Sequence, residues 1–147
     1  MKSIIAALSL FFAIIPLSLA EQAQKFGDIE IHYNAILTHD LTPEIAKTYN
    51  IDRSANRGLL TISVLKKNSK GSGEPISAAI SANTVNLNNQ LSKIDLREIK
   101  EGKAIYYIGQ FRVSPPELLK FTIDAKLPGE TQKHSLEFQQ QFYPPKS

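Results

Sequence analysis

The chain has 147 residues, formal net charge +3, one Met, no Cys and no Trp. The absence of Cys excludes a disulfide framework, a thiolate metal site and a lipid-anchored N-terminus. The weak, dispersed basic balance lacks the clustered stripe that nucleic-acid binding uses, and a lone initiator Met argues against a Met-rich copper carrier.

Residues 1–20 have the pattern of an export signal. Lys2 gives the positive start, 4–15 an apolar run, Pro16 a break, and Ser18-Leu19-Ala20 small residues where a signal peptidase reads. The run is too short and too interrupted for a spanning helix, and no later segment is long and apolar enough. The expectation is cleavage after Ala20, a periplasmic location with no membrane span after cleavage, and one domain over 21–147. Hydrophobic packing alone then has to hold the fold.

Residues 21–24 read as a polar lead. From 26 to 37, Ile29, Ile31, Tyr33, Ala35 and Leu37 alternate with polar residues, the period of a half-buried strand. Residues 38–57 read as a long loop carrying a short helix. Thr42 suits the cap, Pro43 the first turn, and Asn50 the close. A second strand covers 58–66, followed by a breaker-rich turn at 68–75, where Lys66, Lys67 and Lys70 read as a solvated hairpin tip. Residues 76–87 alternate again, with a slip of phase at Val85 and Leu87 that suggests a bulge.

Residues 94–99 read as one strand, joined by a hairpin at 100–103 to the strongest strand, 104–113. There Ile105, Tyr107 and Phe111 share one face, and Ile108 makes the other face partly apolar, as in a strand with partners on both sides. Strands at 119–127 and 133–143 complete the set. The predicted fold class is all-β: an immunoglobulin-like antiparallel β-sandwich of about seven strands with a short helix in the first inter-strand loop.

Several motifs occur together: Phe26-Gly27-Asp28 with His32-Tyr33-Asn34-Ala35; Leu41-Thr42-Pro43-Glu44-Ile45-Ala46; Arg53-Ser54 with Asn56-Arg57-Gly58; Arg97-Glu98-Ile99 with Glu101-Gly102; and Ala104-Ile105-Tyr106-Tyr107-Ile108. As a set they resemble a family of exported Gram-negative bacterial proteins catalogued as domain of unknown function 4426 (DUF4426). The likeness spans nearly all of 21–147. It implies a periplasmic β-sandwich and neither an activity nor catalytic residues.

The chemistry-bearing residues are sparse. His32, His39 and His134 are the only histidines, and zinc needs three or four converging ligands. No Gly-x-Ser-x-Gly elbow and no phosphate-cradling Gly-rich loop is present. The reading is therefore no catalytic residue, no metal and no cofactor. The loop at 38–57 is the candidate binding element, with Arg53, Asn56 and Arg57 able to fork onto an anionic group. The competing structural role has Ile45, Tyr49 and Ile51 capping one open end of the sandwich. The function expected is a non-enzymatic binding or accessory module for an envelope protein, peptide or other envelope component. The alternatives are a chaperone-like assembly factor acting by edge-strand addition, and a His-dependent hydrolase or metal-binding enzyme.

Overall fold

The computed structural model describes residues 22–146; the predicted signal segment and its cleavage point lie outside them. Ten strands form within that range: β1 (Gln22–Phe26), β2 (Ile29–Leu37), β3 (Arg57–Lys67), β4 (Gly73–Pro75), β5 (Ala79–Val85), β6 (Leu91–Ile94), β7 (Arg97–Glu101), β8 (Ala104–Arg112), β9 (Glu117–Lys126) and β10 (His134–Phe142). A 3-10 turn (Thr38–Asp40) and a six-residue helix, α1 (Pro43–Thr48), stand between β2 and β3.

The strands make two antiparallel sheets packed as a sandwich. The first has the order β1-β2-β3-β8-β7, with β4 also paired to β3; the second has the order β10-β9-β5-β6. The alternation in β2 sends Ile29, Ile31, Tyr33, Ala35 and Leu37 inward, where they meet Leu60, Ile62 and Val64 of β3. From the second sheet come Leu119, Phe121, Ile123 and Ala125 of β9 with Leu136 and Phe142 of β10. Phe121 is fully buried and stacks on Phe138, centroids 4.6 Å apart, and Phe138 stacks on Tyr33 at 4.5 Å. Phe111 folds its ring over Gly58, its register partner on β3. A Cβ at that position would lie 2.1 Å from the ring, so no other residue fits there without displacing it.

The sandwich and the central place of β8, between β3 and β7, follow the sequence pattern. Four local expectations do not. The polar lead is β1, which pairs with β2 through a two-residue turn at Gly27-Asp28, where Gly27 takes φ +63°. The run at 76–87 is a strand only over Ala79–Val85, and 76–78 cross from one sheet to the other. Its register with β9 is unbroken, because the inward position after Ala82 is taken by buried Thr84. Val85 therefore stays on the outer side, and Leu87 is exposed. No bulge is needed.

The third difference is the segment 94–99, which is not one strand. Residue 94 ends β6 in the second sheet and residue 97 begins β7 in the first, with Asp95 and Leu96 forming the corner. Together with β4, which pairs with β3 after the Asn68 turn, β1 and this split raise the count from about seven strands to ten. The fourth difference concerns the long loop. It lies on the outer face of the first sheet instead of closing an end of the sandwich. Leu41, Ala46 and Ile51 pack there against outward-facing Leu59 of β3 and Ile108 of β8, a second core separate from the first.

Candidate functional site

The loop is built as sequence chemistry dictates. The Thr42 hydroxyl accepts a hydrogen bond from the Ile45 N–H at 3.3 Å, Pro43 opens α1, and Asn50 takes φ 55° as the chain turns away. The base of the loop is tied at Thr38, a fully buried residue. Its hydroxyl accepts from the Ser54 N–H at 2.8 Å and donates to the Ser54 carbonyl at 3.2 Å. The His39 N–H donates to the same carbonyl at 3.1 Å. The far side of the loop is held on β7, where the Tyr49 hydroxyl donates to Glu101 and Arg97 donates to the Tyr49 carbonyl. The carboxylate of Glu101, accepting that bond, holds the Tyr49 phenol above its ordinary pKa, with a smaller contribution from burial.

This seating leaves a recess on each side of the loop. One is an apolar groove of about 280 Å³ between α1 and the sheet, walled by Ile36, Ile45, Ile99 and Tyr106. The other is a cleft of about 470 Å³ floored by Leu59 and Ile108 and rimmed by Arg57, Lys93, Asp95, Arg97 and Gln110. The corner between β6 and β7 forms one wall of the cleft. It can lie against β8 because residue 109 is glycine: a Cβ there would stand 2.5 Å from Ile94 Cγ2 and 2.6 Å from the Asp95 carbonyl oxygen.

The three residues singled out from the sequence are separated by the structure. Arg57 lines the cleft, 4.0 Å from the Asp52 carboxylate and 3.5 Å from Gln110 Oε1. Arg53 turns back and donates to the His39 carbonyl at 2.9 Å, bracing the loop base. Asn56 acts through its backbone: its N–H donates to the Ser54 hydroxyl at 3.1 Å, and its carbonyl accepts from the Val113 N–H at 3.2 Å. Sequence reasoning misses Lys93 and Arg97. No alternation signal marks them: Ile94 enters the inner core while Ile99, half-buried, faces outward beside Tyr106, as the parity of one continuous strand would also have it, so the change of sheet between them leaves no trace in the pattern.

The histidines lie on different elements. His32 meets Glu30 at 3.1 Å, His39 meets Asp40 at 3.5 Å, and His134 meets Glu130 at 3.1 Å. Among the described residues no three His, Cys, Asp or Glu side chains are grouped to share a metal ion. No described helix is long and apolar enough to cross a membrane. Away from the loop, Glu98 accepts from the Tyr107 hydroxyl at 2.9 Å, which holds its carboxyl below the usual range. Burial pushes the Tyr107 phenol up, and its oxygen also accepts from the Ala78 N–H at 2.9 Å.

Fold and site together define an antiparallel β-sandwich that carries a loop-built recess on one outer face. The same arrangement of layers occurs in solved structures. A DUF4426 family protein of Pseudomonas aeruginosa PAO1 superposes with a TM-score of 0.72 at 29% identity, over 86% of this chain and 97% of that one. The chain belongs to the DUF4426 family, a domain of unknown function, whose profile it matches over residues 23–145. FetP of uropathogenic Escherichia coli strain F11, recombinantly expressed in the periplasm, shares the fold at 13% identity. Its TM-score is 0.61, over 86% of this chain and 95% of that one. A copper-bound variant of FetP matches at 14% identity and TM-score 0.60, over 86% of this chain and 97% of that one. No curated protein is significantly similar to the chain.

Proposed function

We propose that the protein is an exported, periplasmic, non-enzymatic binding module for an envelope component, and that it receives its ligand on the loop-bearing outer face of the first sheet. One observation carries this reading. The loop is fastened at its base and at its far side, yet it leaves two recesses open beside it, one apolar and one cationic. Ordered loops on rigid sandwiches are common binding surfaces, immunoglobulin-like ones included. Export is supported by the signal pattern of residues 1–20. The copper of the FetP variant is a property of that protein, and at 14% identity it lends this chain a fold only.

The test is site-specific photo-crosslinking in the native envelope. A photoreactive residue replaces Ile45, 45% exposed beside the groove, or Leu87, 77% exposed at the turn after β5. The expected result is a discrete adduct from position 45 and none from position 87. Equal labelling, or none at either position, would overturn the assignment of the surface. N-terminal sequencing of the osmotic-shock fraction should begin at Glu21; an uncleaved cytosolic protein would overturn the export reading.

A further inference from the structure

We propose that the cleft between β3, β8 and the 94–97 corner binds a dianionic group, a phosphate monoester or a pair of carboxylates on a small organic ligand. The inference rests on the reading of this face as the binding surface and names the chemistry of its ligand.

The first argument is charge balance. Arg57, Lys93 and Arg97 converge on one recess, and Asp95 is the only carboxylate in its lining. Asp52 stands outside, 95% exposed and 4.0 Å from Arg57, a distance and exposure at which water screens the pair. The lining therefore carries an excess of two positive charges. Among the described residues Lys93 makes no ion pair that offsets this.

The second argument is geometry. A guanidinium presents five N–H donors in a planar fork that matches carboxylate and phosphate oxygens. Arg57 commits one nitrogen to a long contact with Gln110, and Arg97 commits one to the Tyr49 carbonyl. Each retains donors for a ligand, and Arg97 is held in place by the bond it makes. The floor of the cleft, Leu59 and Ile108, is buried and apolar, while the three cations stand exposed around it. The volume, about 470 Å³, falls in the range usual for small-ligand sites, roughly 300–1,000 Å³.

The other basic groups lack these features. Lys66, Lys67 and Lys70 stand exposed at the β3–β4 hairpin. Lys133 is paired to Asp124 at 3.4 Å. The cationic cleft exists because β6 and β7 belong to different sheets, and the corner between them carries Lys93 and Arg97 to the side of Arg57.

The test uses the processed chain, 15N-labelled, titrated with glycerol phosphate, succinate and acetate at constant ionic strength. The expected result is saturable amide shifts confined to residues 57–59, 93–97 and 108–110 with glycerol phosphate, succinate or both. Saturation by one of the two assigns the source as phosphoryl or carboxylate. Acetate should bind about tenfold more weakly, the loss of one charge-assisted contact. Lys93→Gln and Arg57→Gln should each weaken binding about tenfold, and Lys133→Gln should leave it unchanged. Lys93 is exposed, so its variant keeps the test valid should Arg57→Gln disturb the start of β3. Shifts that merely follow ionic strength, or equal losses for Lys93→Gln and Lys133→Gln, would overturn the proposal. If neither dianion saturates while position 45 still crosslinks, the anion site fails and the binding surface stands.

Discussion

The two sheets differ on their outer faces, and the difference shows how this sandwich distributes its burden. The second sheet turns Ser81, Asn83, Lys120, Thr122, Asp124, Ser135, Glu137 and Gln139 to the outside, in phase with an inner face of Phe, Ile, Leu and Ala. Its ion pairs, Lys120–Glu137 at 3.7 Å and Lys133–Asp124 at 3.4 Å, are the cross-strand contacts of a solvated face. The first sheet instead turns Ile36, Leu59, Tyr106 and Ile108 outward. Apolar residues at outward positions require a cover, and the loop at 38–57 supplies one over part of the face. The recesses lie where that cover stops.

Truncation is the strongest probe of this contrast. Leu59→Ala removes a buried side chain shared by the covered face and the floor of both recesses. It should cost about 2–4 kcal/mol in urea unfolding. Val85→Ala, on the outer side of the second sheet, should cost less than about 1 kcal/mol. Equal costs would mean that the loop does not protect the first sheet.

The next effect lies where the two sheets are joined. The Tyr107 oxygen accepts from the Ala78 N–H in the crossover and donates to Glu98. Tyr107→Phe leaves that part-buried N–H without its acceptor and should cost about 1–2 kcal/mol. Hydrogen exchange at Ala78 should accelerate; an unchanged exchange rate would show that the crossover is held by packing alone.

The smallest effect is acid sensitivity. The hydrogen bond from Tyr107 lowers the folded-state pKa of Glu98 below its ordinary 4.5. The unfolded chain then binds more protons in that window. The stabilisation from Glu98 is fully present above the ordinary carboxylate pKa and is lost as pH falls through the lowered value. Glu98→Gln should flatten the decline of Tm on acidification, and only slightly, because the group is exposed to solvent. A variant with an unchanged acid limb would remove this bond from the account of stability.

Much of the fold was legible in the pattern of residues. Period-two alternation in 58–66, 119–127 and 133–143 located three strands within two residues of their observed ends, and in 26–37 it located β2 with a start three residues early, because 26 ends β1 and 27–28 form the turn. Thr42, Pro43 and Asn50 marked the helix and its close. The candidate site was legible in one residue of three. Arg57 reaches the cleft, whereas Arg53 and Asn56 serve the loop itself. A donor-rich side chain looks alike in sequence whether it faces a ligand or a neighbouring carbonyl.

Alternation, turn chemistry and capping act over a few residues, so the order of letters alone determined that this chain makes amphipathic strands, a short capped helix and two layers with a dry interior. Which strands become neighbours depends on contacts between residues far apart in the chain. Only the folded molecule decided that 94–97 change sheets, that Thr38 meets Ser54, and that Lys93 and Arg97 arrive beside Arg57. The physical reason is range: a local pattern specifies which face of an element is buried, and long-range packing chooses what covers it.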